Sequence, residues 1–121
     1  LTAYSPYGAT KIAGGENIQE LGKKGLKYTI FRMPGIFGYS PSMHFDTTVN
    51  QFVLQAVRET PITAWRQTWQ QKRPHLYIGD CTAAILFFLK YELFKNESYN
   101  LITGNFTGSA EVSSSRMRPG L

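Results

Sequence analysis

Lys27-Tyr28-Thr29-Ile30-Phe31-Arg32-Met33-Pro34-Gly35 is the stretch that decides the fold class. Its β-branched and aromatic residues, closed by a Pro-Gly pair, predict a buried strand over Lys27 to Met33. Upstream, Tyr7 to Leu21 carries Ile12, Ala13, Ile18 and Leu21 at roughly helical spacing, with Ser5-Pro6 as cap and first turn and Gly22 as the stop. The segment Gly22 to Gly25 is the turn between them. A helix feeding a strand in this way is half of a βαβ crossover, so an α/β fold is expected.

Downstream, Gly35 to Met43 mixes Gly, Ser and Pro and reads as a loop leaving the strand, where open α/β sheets place their ligands. Asp46 then caps a helix whose Val49, Phe52, Val53, Ala56 and Val57 share one apolar face. Pro61 ends it. A short strand over Ile62 to Trp65, an irregular Arg66 to Lys72 and a strand over His75 to Ile78 follow. Asp80 caps a strongly apolar, mostly buried helix reaching about Phe94, and Ser98 to Ile102 forms the last strand. From Thr107 the chain turns small, polar and aperiodic, so residues 108–121 are expected to be a disordered tail.

With 121 residues, 42% of them hydrophobic and 14% aromatic, the chain can bury one modest core. Its longest apolar run, Ala83 to Leu89, is too short to span a bilayer, so no membrane partner is expected. The net charge of +5 is scattered over Lys23-Lys24, Lys72-Arg73 and Arg116/Arg118, which argues against nucleic acid; a phosphate-bearing small molecule needs only one or two placed cations. The single Cys81 favours a packing role and a reducing, cytoplasmic compartment. No two His or Cys residues have metal-ligand spacing, so no metal site is expected. Leu1 to Pro6 has neither the basic start nor the apolar core of a signal peptide and lacks an initiator Met, which suggests a start inside a longer gene. Asn96-Glu97-Ser98 and Asn105-Phe106-Thr107 match a glycosylation triplet that is common by chance.

The chemistry centres on Tyr7 and Lys11. Four residues apart on a helix they lie on one face, and a cation beside a phenol favours its deprotonated form, so the pair can act as acid or base. Spacing alone is weak, because Tyr91 and Lys95 repeat it in a context that reads as ordinary amphipathic helix with a solvated Lys.

Context separates the two pairs. Ser5-Pro6-Tyr7-Gly8-Ala9-Thr10-Lys11, followed by Phe31-Arg32-Met33-Pro34-Gly35-Ile36-Phe37-Gly38, resembles the extended short-chain dehydrogenases, the nucleotide-sugar epimerases and dehydratases. Two further blocks agree in order: Tyr39 to Asp46 running into Val49-Asn50, and Gln71-Lys72-Arg73-Pro74-His75-Leu76-Tyr77-Ile78-Gly79-Asp80. The resemblance spans residues 5 to about 107. It implies the C-terminal part of a Rossmann-type doubly wound fold plus the small substrate-binding subdomain. Residues 1–34 would be catalytic helix and core strand, 35–80 the substrate-binding subdomain and 81–107 a returning helix and strand.

By the same resemblance Tyr7 is the acid/base at a sugar carbon, and Lys11 holds the nicotinamide ribose and favours the phenolate. Pro34, Gly35 and Ile36 meet the nicotinamide end of NAD or NADP through main-chain groups. Asn50 and Arg73 contact a nucleotide-sugar substrate, Arg73 at the diphosphate, which suits a guanidinium fork. His44 stands where the family commonly has Arg, so an anion contact there becomes pH-dependent. Asp80 reads better as a helix cap than as a ligand.

The pattern is incomplete. No G-x-G-x-x-G precedes Tyr7, Gly14-Gly15 lies inside a helix, and the Ser or Thr expected beside the Tyr belongs to an upstream strand. The dinucleotide-binding half is therefore expected to be absent; a complete enzyme of this kind is roughly two to three times as long. The chain alone is expected to bind no cofactor and perform no turnover. The alternative is a non-catalytic binding or self-association module, and a homo-oligomer is expected in either case.

Overall fold

The computed structural model describes residues 4–62 and 71–107. In chain order the elements are α1 (Pro6–Lys23), β1 (Thr29–Arg32), β2 (Gly35–Phe37), α2 (Thr48–Val57), β3 (Lys72–Tyr77), α3 (Ile78–Lys90), β4 (Glu97–Asn100) and β5 (Gly104–Thr107). Most of the expected strand Ile62 to Trp65, and the tail 108–121, lie outside the described residues; Ile62 itself is not in a strand. The described residues form two compact units, one of residues 4–32 with Leu86–Asn100, the other within Met33–Ile85 and 101–107.

In the first unit, α1 begins as its sequence requires. Ser5 is extended, its Oγ accepts from Gly8 N at 3.1 Å, and Pro6 takes the first helical position, where its missing N–H costs nothing. The helix passes through Gly22 and stops at Lys23, because Gly25 adopts φ +103° and lets Leu26 N return to Leu21 O at 3.1 Å. β1 pairs in parallel with β4, Thr29 opposite Glu97 and Arg32 opposite Asn100. The expected strands are thus shortened: Lys27, Tyr28 and Met33 fall outside β1, and β4 is Glu97–Asn100 rather than Ser98 to Ile102. Between the strands, Phe88 packs edge-on to Phe31 (4.8 Å between centroids) and to Tyr99 (5.3 Å), the geometry aromatic quadrupoles prefer.

α3 corrects three expectations. It starts at Ile78, which the sequence assigned to a strand, and ends at Lys90 rather than Phe94. Glu92 at φ +50° and a Leu93 N bond to Phe88 O close that end. Nor is it mostly buried: Cys81 is its one buried residue, and Leu86, Phe87 and Leu89 are 59%, 52% and 54% exposed. The physical reason is that a two-stranded sheet offers one small face, which Phe88 covers.

The second unit holds the three-stranded sheet β2-β3-β5, parallel between β2 and β3 and antiparallel between β3 and β5. Leu76, opposite Ile36, is fully buried at its centre. β2 lies where the sequence suggested loop; a three-residue strand between Pro34 and Gly38 is too short to show an alternation. β5 was missed for a similar reason, since Gly104-Asn105 reads as turn. α2 begins at Thr48, so Thr47 is its cap residue and Asp46 lies one position too early to serve. Asp80 is the third residue of α3, in the first turn where negative charge suits the helix dipole, and its carboxylate accepts from the Thr103 hydroxyl rather than from its own helix end. Cys81 is buried with Sγ 3.5 Å from Met33 Sδ, a packing role as its setting suggested. Among the described residues no helix is long and apolar enough to cross a membrane.

Candidate functional site

Tyr7 and Lys11 lie in the first unit, on the first two turns of α1. The Ser5 cap fixes where the helix starts and hence which face carries both side chains. Tyr7 is 73% exposed, and Lys11 Nζ stands 5.4 Å from the centre of its ring. A cation over a phenol ring is attracted by the ring's quadrupole, worth about 0.5–1 kcal/mol in water. The Tyr91/Lys95 pair differs: α3 ends at Lys90, so these residues share no helix, and it is Lys90 that lies over the Tyr91 ring at 5.5 Å.

The remaining candidates belong to the second unit. Gly35 and Ile36 are strand residues of β2, opposite His75 and Leu76 of β3, with Pro34 immediately before them. The Gly35 main chain is exposed, and the nearest atom to an added Cβ is His75 Nδ1 at 3.8 Å. A flat group can therefore approach this backbone. Arg73 is exposed on β3 opposite Phe106 of β5, four residues before Tyr77 and so roughly 13 Å along the strand at ~3.3 Å per residue. Arg73, His75 and Tyr77 alternate onto one face of that strand.

Asn50 does not face solvent. It is 7% exposed; its Oδ1 accepts from Gly38 N at 3.1 Å and its Nδ2 donates to His44 O at 2.9 Å. Asn50 and His44 are thus brought together, His44 through its main chain while the residue itself is exposed. Beside them a cavity of about 350 Å³ opens between the 38–47 loop and α2, walled by Phe37, Tyr39, Met43, Phe45, Val53 and Leu54 among others. Its size is that of a small-ligand pocket, and its walls suit an apolar or flat aromatic group.

Three features escaped the sequence. Gly38, at φ +114°, is pressed by Tyr77, whose Cε2 would stand 2.8 Å from an added Cβ. The Tyr77 ring also covers Gly79 and packs on Phe37 at 5.7 Å. Thr103 joins β3 to α3: its hydroxyl accepts from Tyr77 N at 2.9 Å and donates to Asp80. The glycines at 38 and 79 flanking an aromatic strand end were a readable signal; the Thr103 contact crosses a separation of more than twenty residues and was not. Among the described residues no three His, Cys, Asp or Glu side chains gather as metal ligands.

Known structures share this fold. dTDP-glucose 4,6-dehydratase from Bacillus anthracis str. Ames, in complex with NAD, superposes with a TM-score of 0.80 at 20% identity, covering 95% of this chain and 36% of that one. UDP-glucose 4-epimerase from Thermotoga maritima, with UDP-glucose, gives 0.79 at 21% identity, covering 95% and 37%. WbmF from Bordetella bronchiseptica, in complex with NAD+, gives 0.77 at 14% identity, covering 94% and 38%. The chain spans little more than a third of the length of each, and what is shared is part of a Rossmann-like fold with parallel strands. Residues 1–101 match the model of the NAD dependent epimerase/dehydratase family. The chain belongs to the NAD dependent epimerase/dehydratase family.

Proposed function

We propose that this chain is the substrate-side portion of an enzyme that epimerises or dehydrates a nucleotide-linked sugar using NAD or NADP, and that Tyr7 moves the proton. The observation that carries the reading is the placement of Tyr7 and Lys11 on one helical face, with the ammonium 5.4 Å from the ring centre, inside a stretch that matches the family. The exposed Gly35 backbone fits the approach of a flat ring such as a nicotinamide, with Pro34 and Ile36 on either side of it. When bound, the nicotinamide supplies the hydride acceptor. Tyr7 exchanges the proton with a sugar hydroxyl at the carbon being oxidised, and Lys11 holds the cofactor's ribose. Arg73, His44 and Asn50 belong to the substrate side, Arg73 offering a planar fork to the diphosphate.

The 121-residue chain by itself is proposed to bind no NAD tightly and to perform no turnover. Calorimetric titration with NAD and with UDP-glucose tests this: no heat with NAD is expected, and tight NAD binding by the isolated chain contradicts it. A second reading is favoured by one observation, the exposed Leu86, Phe87 and Leu89 of α3. Such a surface suits association with another copy or a partner, since each such side chain buried gains about 1.5–3 kcal/mol. Sedimentation of the chain over a concentration series separates a self-associating module from a monomer.

A further inference from the structure

One side chain closes the loop that walls the cavity. Asn50, in the first turn of α2, accepts from Gly38 N and donates to His44 O, so a single amide holds the start of the 38–47 loop and a point six residues on. Between them Met43 N donates to Ser40 O at 3.2 Å, and Thr47 Oγ1 donates to the same His44 carbonyl at 3.4 Å. The two anchored ends set where Tyr39, Met43 and Phe45 stand against the Val49, Val53 and Leu54 face of α2. A carboxamide carries donor and acceptor on one rigid plane; a carboxylate has no donor, and a hydroxyl is too short to serve both points.

We propose that Asn50 is the positioning residue of this loop, acting on whatever occupies the cavity through the loop's main chain rather than by contact. It refines the contact role that family resemblance gives Asn50, and it does not depend on the proposed reaction, because both hydrogen bonds exist in the chain without ligand.

Amide hydrogen exchange at Gly38, measured by NMR on the ligand-free chain, tests it. In Asn50→Leu, which keeps the branched heavy-atom skeleton and removes both bonds, the Gly38 amide is expected to exchange about tenfold faster or more, while amides of α1 keep their rates. Asn50→Asp supplies a second arm should the Leu variant fail to fold. Protonated, its carboxyl can accept from Gly38 N and donate to His44 O as the amide does; ionised, it loses the donor. Its thermal stability relative to the parent chain should therefore recover as pH falls toward about 4. α2 and β2 carry no charged residue, and Tyr39, His44 and Asp46 on the loop are common to both chains, so the comparison isolates residue 50. Unchanged Gly38 exchange in Asn50→Leu, or a pH profile of Asn50→Asp parallel to that of the parent chain, overturns the assignment.

Discussion

Asn96 and Tyr28 exchange two hydrogen bonds: Tyr28 N donates to Asn96 Oδ1, and Asn96 N donates to Tyr28 O, both at 2.9 Å. Asn96 sits at φ +58°, in the left-handed region that Asn tolerates better than most residues. The pair lies just ahead of the Thr29–Glu97 match and sets the register of the two-stranded parallel sheet. It also occupies the side-chain oxygen of an Asn whose triplet reads as a glycosylation pattern.

Removing that latch should separate its two parts. Asn96→Gly keeps the backbone conformation and loses one hydrogen bond, at a cost of roughly 1 kcal/mol; Asn96→Ala adds the left-handed strain and should cost roughly 1 kcal/mol more. Urea unfolding followed by far-UV circular dichroism gives both values, and equal losses would contradict the division.

Gly38 should tolerate no side chain. A Cβ there would lie 2.8 Å from Tyr77 Cε2 and 2.9 Å from Ile78 Cγ2, on a backbone at φ +114°. Gly38→Ala is expected to lower stability by about 2–4 kcal/mol, combining overpacking with strain. Thermal melting measures it; a shift within error would mean that Tyr77 swings aside freely.

Glu92 offers the opposite case. It holds φ +50° at the end of α3, where Leu93 N bonds to Phe88 O at 2.9 Å, a position that glycine occupies with less strain. Glu92→Gly is expected to raise stability by up to about 1 kcal/mol, read as a higher melting temperature, with the gain trimmed by the freer unfolded chain.

Tyr99 should titrate late. Its hydroxyl donates to Glu97 Oε2 at 2.6 Å; this hydrogen bond first, then desolvation and the carboxylate's charge, raise its pKa above the ordinary value near 10. Because the folded value is raised, the bond's stabilisation is complete below the unfolded Tyr pKa and is lost as pH rises through the folded one. NMR titration of the Tyr99 ring should show a higher midpoint than in Glu97→Gln; equal midpoints would remove the bond's role.

Ser5-Pro6 announced the start of α1, since capping and a fixed φ are local chemistry. The apolar face of α2 was readable from its spacing only in part: Phe52 is buried, whereas Val53 and Val57, expected on the same face, are exposed. Tyr7, Lys11 and Arg73 could be picked out only through ordered blocks resembling a family, because spacing supplies equal decoys. What stayed hidden was non-local. Ile78 opens a helix because β3 ends against Gly38 and Thr103; Asn50 is buried because Gly38 and His44 need its amide; Leu86 and Phe87 are exposed because unit one offers them no second face.

Tyr7 is proposed as the proton-transfer group of an epimerase or dehydratase. The most direct measurement is turnover of a nucleotide-linked sugar by the complete gene product and by its Tyr7→Phe variant, with NAD binding recorded in parallel. The variant should bind NAD as before and lose at least about a hundredfold in kcat, the usual scale of a lost general acid or base. Full turnover by Tyr7→Phe would contradict the claim.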